Sequence, residues 1–283
     1  DGLSGLIIDF YHGIAVLQAH SFGMHNDRMQ IANALKEVMG DELSAVYYKS
    51  KSTLKNTDDL QDGYLLGLGV TPHVVLENNR KFMVDWETGQ KTGFFLDQRD
   101  NRALLGHYAK GRSVLNTFCY TGGFSVYALH AGATLVHSVD ASAKAIELTR
   151  KNIELNGFDA DLHTCTESDT IEFLANNGIH YDVIVLDPPA FAKHRSSKHQ
   201  AIKGYQRLNA EAFKTIKSGG IIFTFSCSQV IDRQLFYGTV VSAAIQSGRN
   251  IKVLHHLSQP ADHPVSIYHP EGEYLKGLVL FVS

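Results

Sequence analysis

The sequence predicts a parallel, doubly wound α/β domain that follows a smaller α+β unit. Strand and helix patterns alternate from Ser113 to the end of the 283-residue chain, and such alternation is typical of a parallel sheet with right-handed crossovers. The apolar run Val183–Leu186 lacks polar alternation, as expected for a strand that is covered on both faces. Polar or glycine-rich segments follow several of the strands, where ligands bind in sheets of this class.

The first ninety residues predict the smaller unit, to which we assign residues 1–90. Its predicted elements are strands over residues 6–9 and 14–18, a helix over residues 27–39, and a hairpin of residues 82–86 and 93–96 around Glu87, Thr88 and Gly89. The apolar spacing of the helix predicts a buried stripe that consists of Met29, Ile31, Leu35 and Val38.

Residues 91–283 are assigned to the larger domain. Its predicted strands are residues 114–115, 135–139, 162–165, 183–186, 221–225, 251–254 and 278–282. Its predicted helices are residues 123–130, 142–156, 169–175, 205–216 and 231–245.

Composition excludes several classes of protein. The net charge of −3 argues against a surface coated in basic charge for nucleic acid, although a local basic patch is compatible with it. Three widely spaced cysteines without a Cys-x-x-Cys pair argue against a zinc site and favour a reducing compartment. No apolar run reaches the ~18 residues of a membrane span. We therefore expect a cytoplasmic protein without a structural metal.

Three segments at strand ends suggest a nucleoside site. The turn from Asn116 to Phe124 contains Gly122 and Gly123 but lacks the Gly-x-Gly-x-x-Gly pattern of dinucleotide folds; alone, it fits a plain turn as well as a ligand site. Asp140 ends the next strand, where a carboxylate can accept both ribose hydroxyls or cap the following helix. Asp169 can receive an adenine amino group or cap a helix, and the residues do not decide between these.

Two further segments suggest chemistry on a planar base. Asp187, Pro188 and Pro189 follow a buried strand, and the prolines stiffen the loop and fix the direction of the carboxylate. Cys227 lies between two serines at the end of the next predicted strand. Buried cysteine is usually a small hydrophobic residue, but this position favours a nucleophile.

A basic run follows the prolines directly. Its cationic members are candidates for contacts with nucleic acid phosphates: Lys193, Arg195, Lys198 and Lys203. A run of this kind is more often a solvated loop. We interpret it as a set of phosphate contacts because it lies beside the predicted site.

Together these residues resemble the bacterial 23S rRNA cytosine-C5 methyltransferases. The resemblance extends over nearly the whole chain. The segments that carry it are Lys91 to Arg99, Leu115 to Phe124, Val139 and Asp140, Asp187 to Pro189, Ser226 to Ser228, His263 to Val265 and Pro270 to Gly277. It implies a class I methyltransferase fold of Rossmann-like type, S-adenosylmethionine as cofactor and ribosomal RNA, or a precursor subunit, as partner. Members of the family usually begin with an RNA-binding PUA domain, which we expect to be absent from this chain. The smaller unit would then lie on the substrate side.

The resemblance also assigns roles to residues. Those implied to line the cofactor site are Gln98, Arg99, Asn116, Phe118, Gly122, Asp140, Asp169 and Asp187, with Arg99 near the carboxylate of the methionine moiety. Cys227 would be the nucleophile and Asp187 its catalytic partner. The sequence departs from relatives at Ala190, where a lysine is common.

Two alternatives stay open on the sequence. Methylation of a base nitrogen is the first, because Asp-Pro-Pro also occurs in amine-directed methyltransferases, although an aromatic residue usually follows the prolines and here Ala190 intervenes. A catalytically silent RNA-binding module is the second. The sequence leaves open the nucleotide that is methylated and whether the chain forms a homodimer.

Overall fold

The computed structural model describes residues 2–54, 60–192 and 194–283 of the chain. It divides into two units, Asp1–Phe95 and Leu96–Ser283. The boundary predicted after residue 90 lies slightly before this division.

The first unit is built on a four-stranded sheet. Its elements are β1 (Leu6–Tyr11), β2 (Ile14–Ala19), α1 (Phe22–Asn26), α2 (Arg28–Met39), β3 (Ala45–Tyr48), β4 (Gly63–Leu66), β5 (His73–Glu77) and β6 (Arg80–Val84). The sheet has the order β1-β2-β3-β4, in which only β2 and β3 are parallel, and β5 pairs with β6 as a separate hairpin. A core of apolar side chains from β2 and β3 packs with the inner face of α2.

The structure corrects two predictions in this unit. The hairpin turns at Asn78 and Asn79, whose φ angles are 49° and 64°, because asparagine tolerates the left-handed backbone that tight hairpins need. Residues 93–96 therefore form no strand. The predicted stripe of α2 is also wrong in part, since Met29 is 42% and Val38 85% exposed.

The second unit is an α/β sandwich around a seven-stranded sheet. Its elements are α3 (Arg99–Ala109), β7 (Ser113–Thr117), α4 (Gly123–His130), β8 (Leu135–Asp140), α5 (Ala143–Leu155), β9 (His163–Glu167), α6 (Thr170–Asn176), β10 (Val183–Leu186), α7 (Lys198–Thr215), β11 (Gly220–Ser226), α8 (Arg233–Ser247), β12 (Ile251–Ser258) and β13 (Lys276–Val282). The strand order is β12-β13-β11-β10-β7-β8-β9.

The sheet confirms the predicted fold class. The five strands β7 to β11 run parallel to one another, and β13 is antiparallel to both of its neighbours. All four residues of β10 are 0% exposed, as the unbroken apolar run predicted. The strand order reverses between β7 and β10, and the crevice at such a switch point is where ligands bind in open α/β sheets.

Two helices differ from the sequence prediction. Helix α3 was not predicted, because it buries the polar Asn101 and Arg102 and lacks a continuous apolar stripe. Helix α7 begins at Lys198, well before the predicted start at Tyr205, so part of the basic run is helical. Among the residues that the structure describes, no helix has the length and apolar character to cross a membrane.

Candidate active site

The predicted site segments meet at one edge of the second unit. Strands β7, β8, β9, β10 and β11 are parallel and adjacent in the sheet, so their carboxyl ends lie side by side. Thr117 of β7 is in register with Leu186 of β10, which is in register with Thr224 of β11. The loops that carry Gly122, Asp187 and Cys227 therefore start from neighbouring strand ends.

The turn after β7 is tightly constrained. Phe118, Tyr120 and Gly122 have φ angles of 54°, 48° and 74°, which are left-handed conformations that cost non-glycine residues energy. The Asp140 carboxylate supports the turn, because its Oδ2 accepts a hydrogen bond from the Tyr120 amide at 3.0 Å. A Cβ atom on Gly122 would lie 2.7 Å from Cγ2 of Thr149, so this position requires glycine on two grounds.

Asp140 keeps acceptor capacity for a ligand. Its other oxygen, Oδ1, accepts from the Ser142 amide at 3.0 Å, while the Ser142 hydroxyl is the cap of α5. A carboxylate offers about four acceptor positions, so these two amide bonds leave room for ribose hydroxyls. Helix α4 begins beside this turn with no side-chain cap, and its first amides are therefore available to a ligand.

Asn116 lies beneath the turn. It is 1% exposed, and its Nδ2 donates to Ser125 Oγ at 2.9 Å. Its Oδ1 is buried and has no hydrogen-bond partner among the described residues. The Ser125 hydroxyl also forms a hydrogen bond with the Ser138 hydroxyl at 2.7 Å, and the Ser138 hydroxyl forms one with His163 Nε2 at 2.8 Å. In this structure Asn116 therefore links β7 to the first turn of α4.

Asp169 caps a helix. Its Oδ1 accepts from the amides of Ile171 and Glu172 at 2.9 and 3.1 Å. Helix capping is one of the two roles between which the sequence does not decide; the other is recognition of adenine. Both bonds use the same oxygen, and the side chain is exposed, so Oδ2 lies outside the cap.

The Asp187 carboxylate is oriented by a buried amide. Gln98 is 4% exposed and donates from Nε2 to Asp187 Oδ1 at 2.9 Å. Asn101 Nδ2 in turn donates to Gln98 Oε1 at 2.7 Å, which fixes the Gln98 amide with its NH₂ group toward Asp187. The chain Asn101–Gln98–Asp187 thus holds one carboxylate oxygen at the end of β10.

Arg99 is engaged by a carboxylate of the protein. Its Nη1 donates to Asp262 Oδ2 at 2.7 Å, and His263 Nδ1 lies 3.0 Å from Asp262 Oδ1. Burial acts to raise the pKa of Asp262, but the hydrogen bonds from His263 and Arg99 outweigh it and lower that pKa. A guanidinium that already binds one carboxylate is chemically suited to bind another.

Cys227 opens onto a cleft beside the Asp187 loop. Its Sγ lies 3.9 Å from the Pro188 carbonyl oxygen, so the loops after β10 and β11 are in contact, as the sequence predicted if those strands were neighbours. The cleft has a volume of about 240 Å³ and is lined by Ala190, Ala192, Cys227, Ser228, Gln229, Val230 and Tyr274. The thiol therefore faces a space with both polar and apolar walls.

Three residues near Cys227 were not predicted as part of the site. Lys276 is 2% exposed, and its Nζ donates to the Ser228 carbonyl at 2.6 Å; burial lowers its pKa to about 8. The Tyr205 hydroxyl accepts from Ser226 Oγ at 3.0 Å, and burial raises its pKa to about 12. The Tyr274 hydroxyl donates to Asp97 Oδ2 at 2.8 Å. A lysine that opens the apolar strand β13 was the one signal available in the sequence.

The basic run is exposed where the structure describes it. Arg195, Lys198 and Lys203 are exposed and form no ion pair with a described carboxylate; Lys203 lies on α7 and Lys198 is its first residue. Lys193, the fourth predicted phosphate contact, lies outside the described residues. Across the described ranges, no group of three or more metal-ligating side chains has the arrangement of a metal site.

Comparison with known proteins places the chain among methyltransferases. Residues 54–266 match the family model described as S-adenosylmethionine-dependent methyltransferase. The chain is 42% identical to the ribosomal RNA large subunit methyltransferase I of Aeromonas hydrophila, over 99% of this chain and 72% of that protein. It is 41% identical to the protein of the same name from Alteromonas mediterranea, over 100% of this chain and 72% of the relative.

A solved structure shares the fold over almost the whole chain. The crystal structure of SMU.776, a methyltransferase complexed with SAH, superposes with a TM-score of 0.86 at 25% sequence identity and covers 98% of this chain and 72% of that one.

Proposed function

The chain belongs to the S-adenosylmethionine-dependent methyltransferase family, and on that premise we propose that it methylates C5 of a cytosine in 23S ribosomal RNA through a covalent adduct with Cys227. The observation that carries the proposal is the pairing of β10 with β11, which sets Cys227 Sγ 3.9 Å from the Pro188 carbonyl at an open cleft. The printed name of the relatives supports large-subunit ribosomal RNA as the substrate.

The residues around the glycine turn fit the cofactor. The uncapped start of α4 and the spare acceptor positions of Asp140 suit a nucleoside with ribose hydroxyls. We assign Phe118 and Gly122 to the lining of the cofactor site and Asn116 to the residues that support this lining. We assign Asp169 Oδ2 to the adenine amino group. Gln98 precedes α3 and Arg99 begins it, and we assign Arg99 to the cofactor carboxylate.

Carbon methylation explains why a thiol lies at this place. C5 of cytosine is a weak nucleophile, and addition of the Cys227 thiolate to C6 forms the S–C6 bond while the C5–C6 π pair shifts to C5, in conjugation with C4 and N3, so that C5 becomes nucleophilic. S-adenosylmethionine, when bound, would supply the methyl group that C5 takes up and would leave as S-adenosylhomocysteine. A base then removes the C5 proton, and the electron pair released re-forms the C5–C6 double bond and expels Cys227 as a thiolate.

Asp187 recognises the cytosine edge in this proposal. Gln98 donates to Oδ1 of the carboxylate and thereby fixes its direction. In its ionised form Asp187 would accept a hydrogen bond from the amino group of the base, and in its protonated form it would donate one to the ring nitrogen. The rigid prolines that follow keep the carboxylate in place; Pro188 itself is buried. The base has to leave its stack to reach Cys227, so a loop or an extruded nucleotide is the expected target.

The exposed cations of α7 are proposed to bind the RNA backbone. Lys198 and Lys203 lie on the helix that follows the Asp187 loop, and Arg195 lies just before it. Replacing each with Ala should reduce the salt dependence of RNA affinity by about 0.7 in log–log slope for every single-strand phosphate contact that is lost. The exposed Lys252 on β12 is the matched control.

Base-nitrogen methylation is less compatible with the position of Phe191. This aromatic residue follows Ala190 and packs on Tyr205 with ring centroids 4.6 Å apart. A Cβ atom on Gly204 would lie only 2.9 Å from its ring, so the ring is seated against α7. It is therefore engaged in packing at the place where amine-directed enzymes usually offer an aromatic residue to the base.

The test is product analysis on ribosomal RNA. Unmodified 23S RNA is incubated with the protein and S-adenosylmethionine, digested to nucleosides and examined by mass spectrometry against synthetic standards. The proposal predicts 5-methylcytidine, and fragment mapping then identifies the nucleotide. A nitrogen-bound methyl group would overturn the carbon chemistry, and absence of any methylated nucleoside would favour a silent RNA-binding module.

A further inference from the structure

Lys276 is a buried lysine that is hydrogen-bonded to the segment containing Cys227. It is the first residue of β13 and is in register with Ser226 of β11. The side chain is 2% exposed, and Nζ donates to the Ser228 carbonyl at 2.6 Å. The ammonium group thus bonds the backbone one residue after Cys227.

The acidic groups near Lys276 are committed elsewhere. Glu273 precedes β13 and accepts from Arg233 Nε at 3.0 Å and from its Nη2. Asp232 caps α8 through the Leu235 amide at 2.8 Å. No described carboxylate lies within 4 Å of Lys276 Nζ. Burying an ammonium without a counter-ion is costly, so a negative charge is expected close by.

The Cys227 thiol, once ionised, is the candidate for the negative charge that is expected near Lys276. Burial has the largest effect on the pKa of Lys276 and lowers it. Among nearby charges, Cys227 has the largest effect and raises this pKa. Glu273 and Asp232 also raise it, whereas Arg233 lowers it. The ammonium group is buried and bonds the carbonyl of the residue that follows Cys227. It therefore lies near the thiol in a poorly solvated region, where opposite charges interact strongly.

We propose that Lys276 is the counter-ion that holds Cys227 as a thiolate before substrate binds. The inference rests on the proposed function, in which that thiolate adds to C6 of cytosine. Its proton goes to solvent, so no further reactant is needed. Lys276 is a positioning residue in this account, since it acts on the substrate only through Cys227.

A purely structural role for Lys276 makes a different prediction. If the lysine served only to anchor the Ser228 carbonyl, its replacement would loosen the loop and lower turnover at every pH. The ionisation of Cys227 separates the two roles, because an opposite charge at close range lowers a thiol pKa by about 1–3 units and an uncharged anchor does not.

The experiment measures the pH dependence of Cys227 alkylation by iodoacetamide in the absence of RNA and cofactor. Peptide mass spectrometry distinguishes this thiol from Cys119 and Cys165, in both of which burial raises the pKa. We expect a midpoint below the value of about 8.5 for a free thiol, a rise of about one unit or more in Lys276→Met, and a near-native midpoint in Lys276→Arg. Lys252→Met, at an exposed position on β12, is the control and should leave the midpoint unchanged.

An unchanged midpoint in folded Lys276→Met would overturn the inference, and thermal unfolding of both Lys276 variants verifies that they fold. Methylation assays add a second readout: Lys276→Met should lower kcat at pH 7 by at least about tenfold and regain activity near pH 9, without a change in KM. If Cys227→Ala retained methylation while Lys276→Met still shifted the thiol midpoint, the proposed nucleophile would be wrong and the ion pair would stand.

Discussion

Gln98 donates a hydrogen bond from Nε2 to Oδ1 of Asp187 at 2.9 Å, and Asn101 fixes the orientation of the Gln98 amide. The bond joins the residue before α3 to the loop after β10, so the carboxylate that we assign to base recognition has one oxygen already occupied. Its direction is therefore set before any ligand enters.

Loss of this bond should impair turnover. Gln98→Leu removes a hydrogen bond to a charged group, worth about 1.5–3 kcal/mol, so we expect kcat/KM to fall roughly 10–100-fold. Gln98→Glu should be more harmful because two carboxylates would then face each other. Gln246→Leu, on the exposed face of α8, is the control. Cofactor affinity measured in the same variants separates a disordered Asp187 from a lost cofactor contact, and normal turnover in Gln98→Leu would refute the assignment.

The Arg99–Asp262 ion pair predicts competition with the cofactor carboxylate. Arg99→Ala should weaken S-adenosylmethionine binding by about tenfold or more, yet leave unchanged the affinity for 5′-methylthioadenosine, which lacks the carboxylate. Asp262→Asn should strengthen S-adenosylmethionine binding, since it removes a carboxylate that competes for Arg99. Calorimetry with both ligands checks these effects. If Arg99→Ala binds both ligands normally, the ion pair serves only to hold the 262–263 segment.

Gly122→Ala should abolish the glycine turn. The φ of 74° costs an alanine about 1–2 kcal/mol, and its Cβ would in addition collide with Thr149 at 2.7 Å. We expect a lower melting temperature and a marked loss of cofactor binding. Gly111→Ala is a matched control, because Gly111 has a φ of 69° and no heavy atom within 4 Å of the added Cβ; it should show the backbone cost alone. Equal behaviour of the two variants would contradict the steric argument.

Stability should decrease in mild acid because of the buried histidine network. Burial lowers the pKa of His163 from 6.5 to about 4, with a further contribution from His137, whose own pKa burial also lowers. A lowered folded-state pKa means that the unfolded chain takes up more protons below pH 6.5. The stability contributed by neutral His163 is thus present above pH 6.5 and lost as the pH falls toward 4.

The corresponding variant is His163→Gln. The free energy of unfolding from urea titrations at pH 5 and pH 7.5 should differ less in this variant than in the parent, by up to about 2 kcal/mol. His107→Gln, at an exposed site on α3, should retain the parental difference. The same pH dependence in His163→Gln and the parent would show that other groups are responsible.

The sequence was sufficient for those parts of the fold that follow from local pattern. The bounds of α4 and β10 were predicted as the structure has them, since an apolar segment between turn residues leaves few alternatives. The hairpin was misplaced because the left-handed turn at Asn78 and Asn79 was overlooked. Helix α3 escaped prediction because its buried face contains Asn101 and Arg102, whose burial depends on tertiary contacts.

The site was predictable as a set of strand ends but not as a set of contacts. Parallel neighbours bring Asp140, Asp187 and Cys227 to one edge, and the alternation of strands and helices implied this. The bond between Arg99 and Asp262 joins residues far apart in the chain, and no periodicity indicates it. The same holds for Lys276, whose importance appears only when β13 pairs with β11.

The central claim is that Cys227 forms a covalent bond with cytosine C6, and adduct trapping tests it most directly. The protein is incubated with S-adenosylmethionine and RNA containing 5-fluorocytosine, in which fluorine replaces the proton whose removal releases the enzyme. We expect a protein–RNA adduct that maps to Cys227, is lost in Cys227→Ala and is kept in Cys119→Ala. On unmodified RNA, Cys227→Ala should form no 5-methylcytidine, whereas Cys119→Ala should form it. Full methylation by Cys227→Ala would contradict the account.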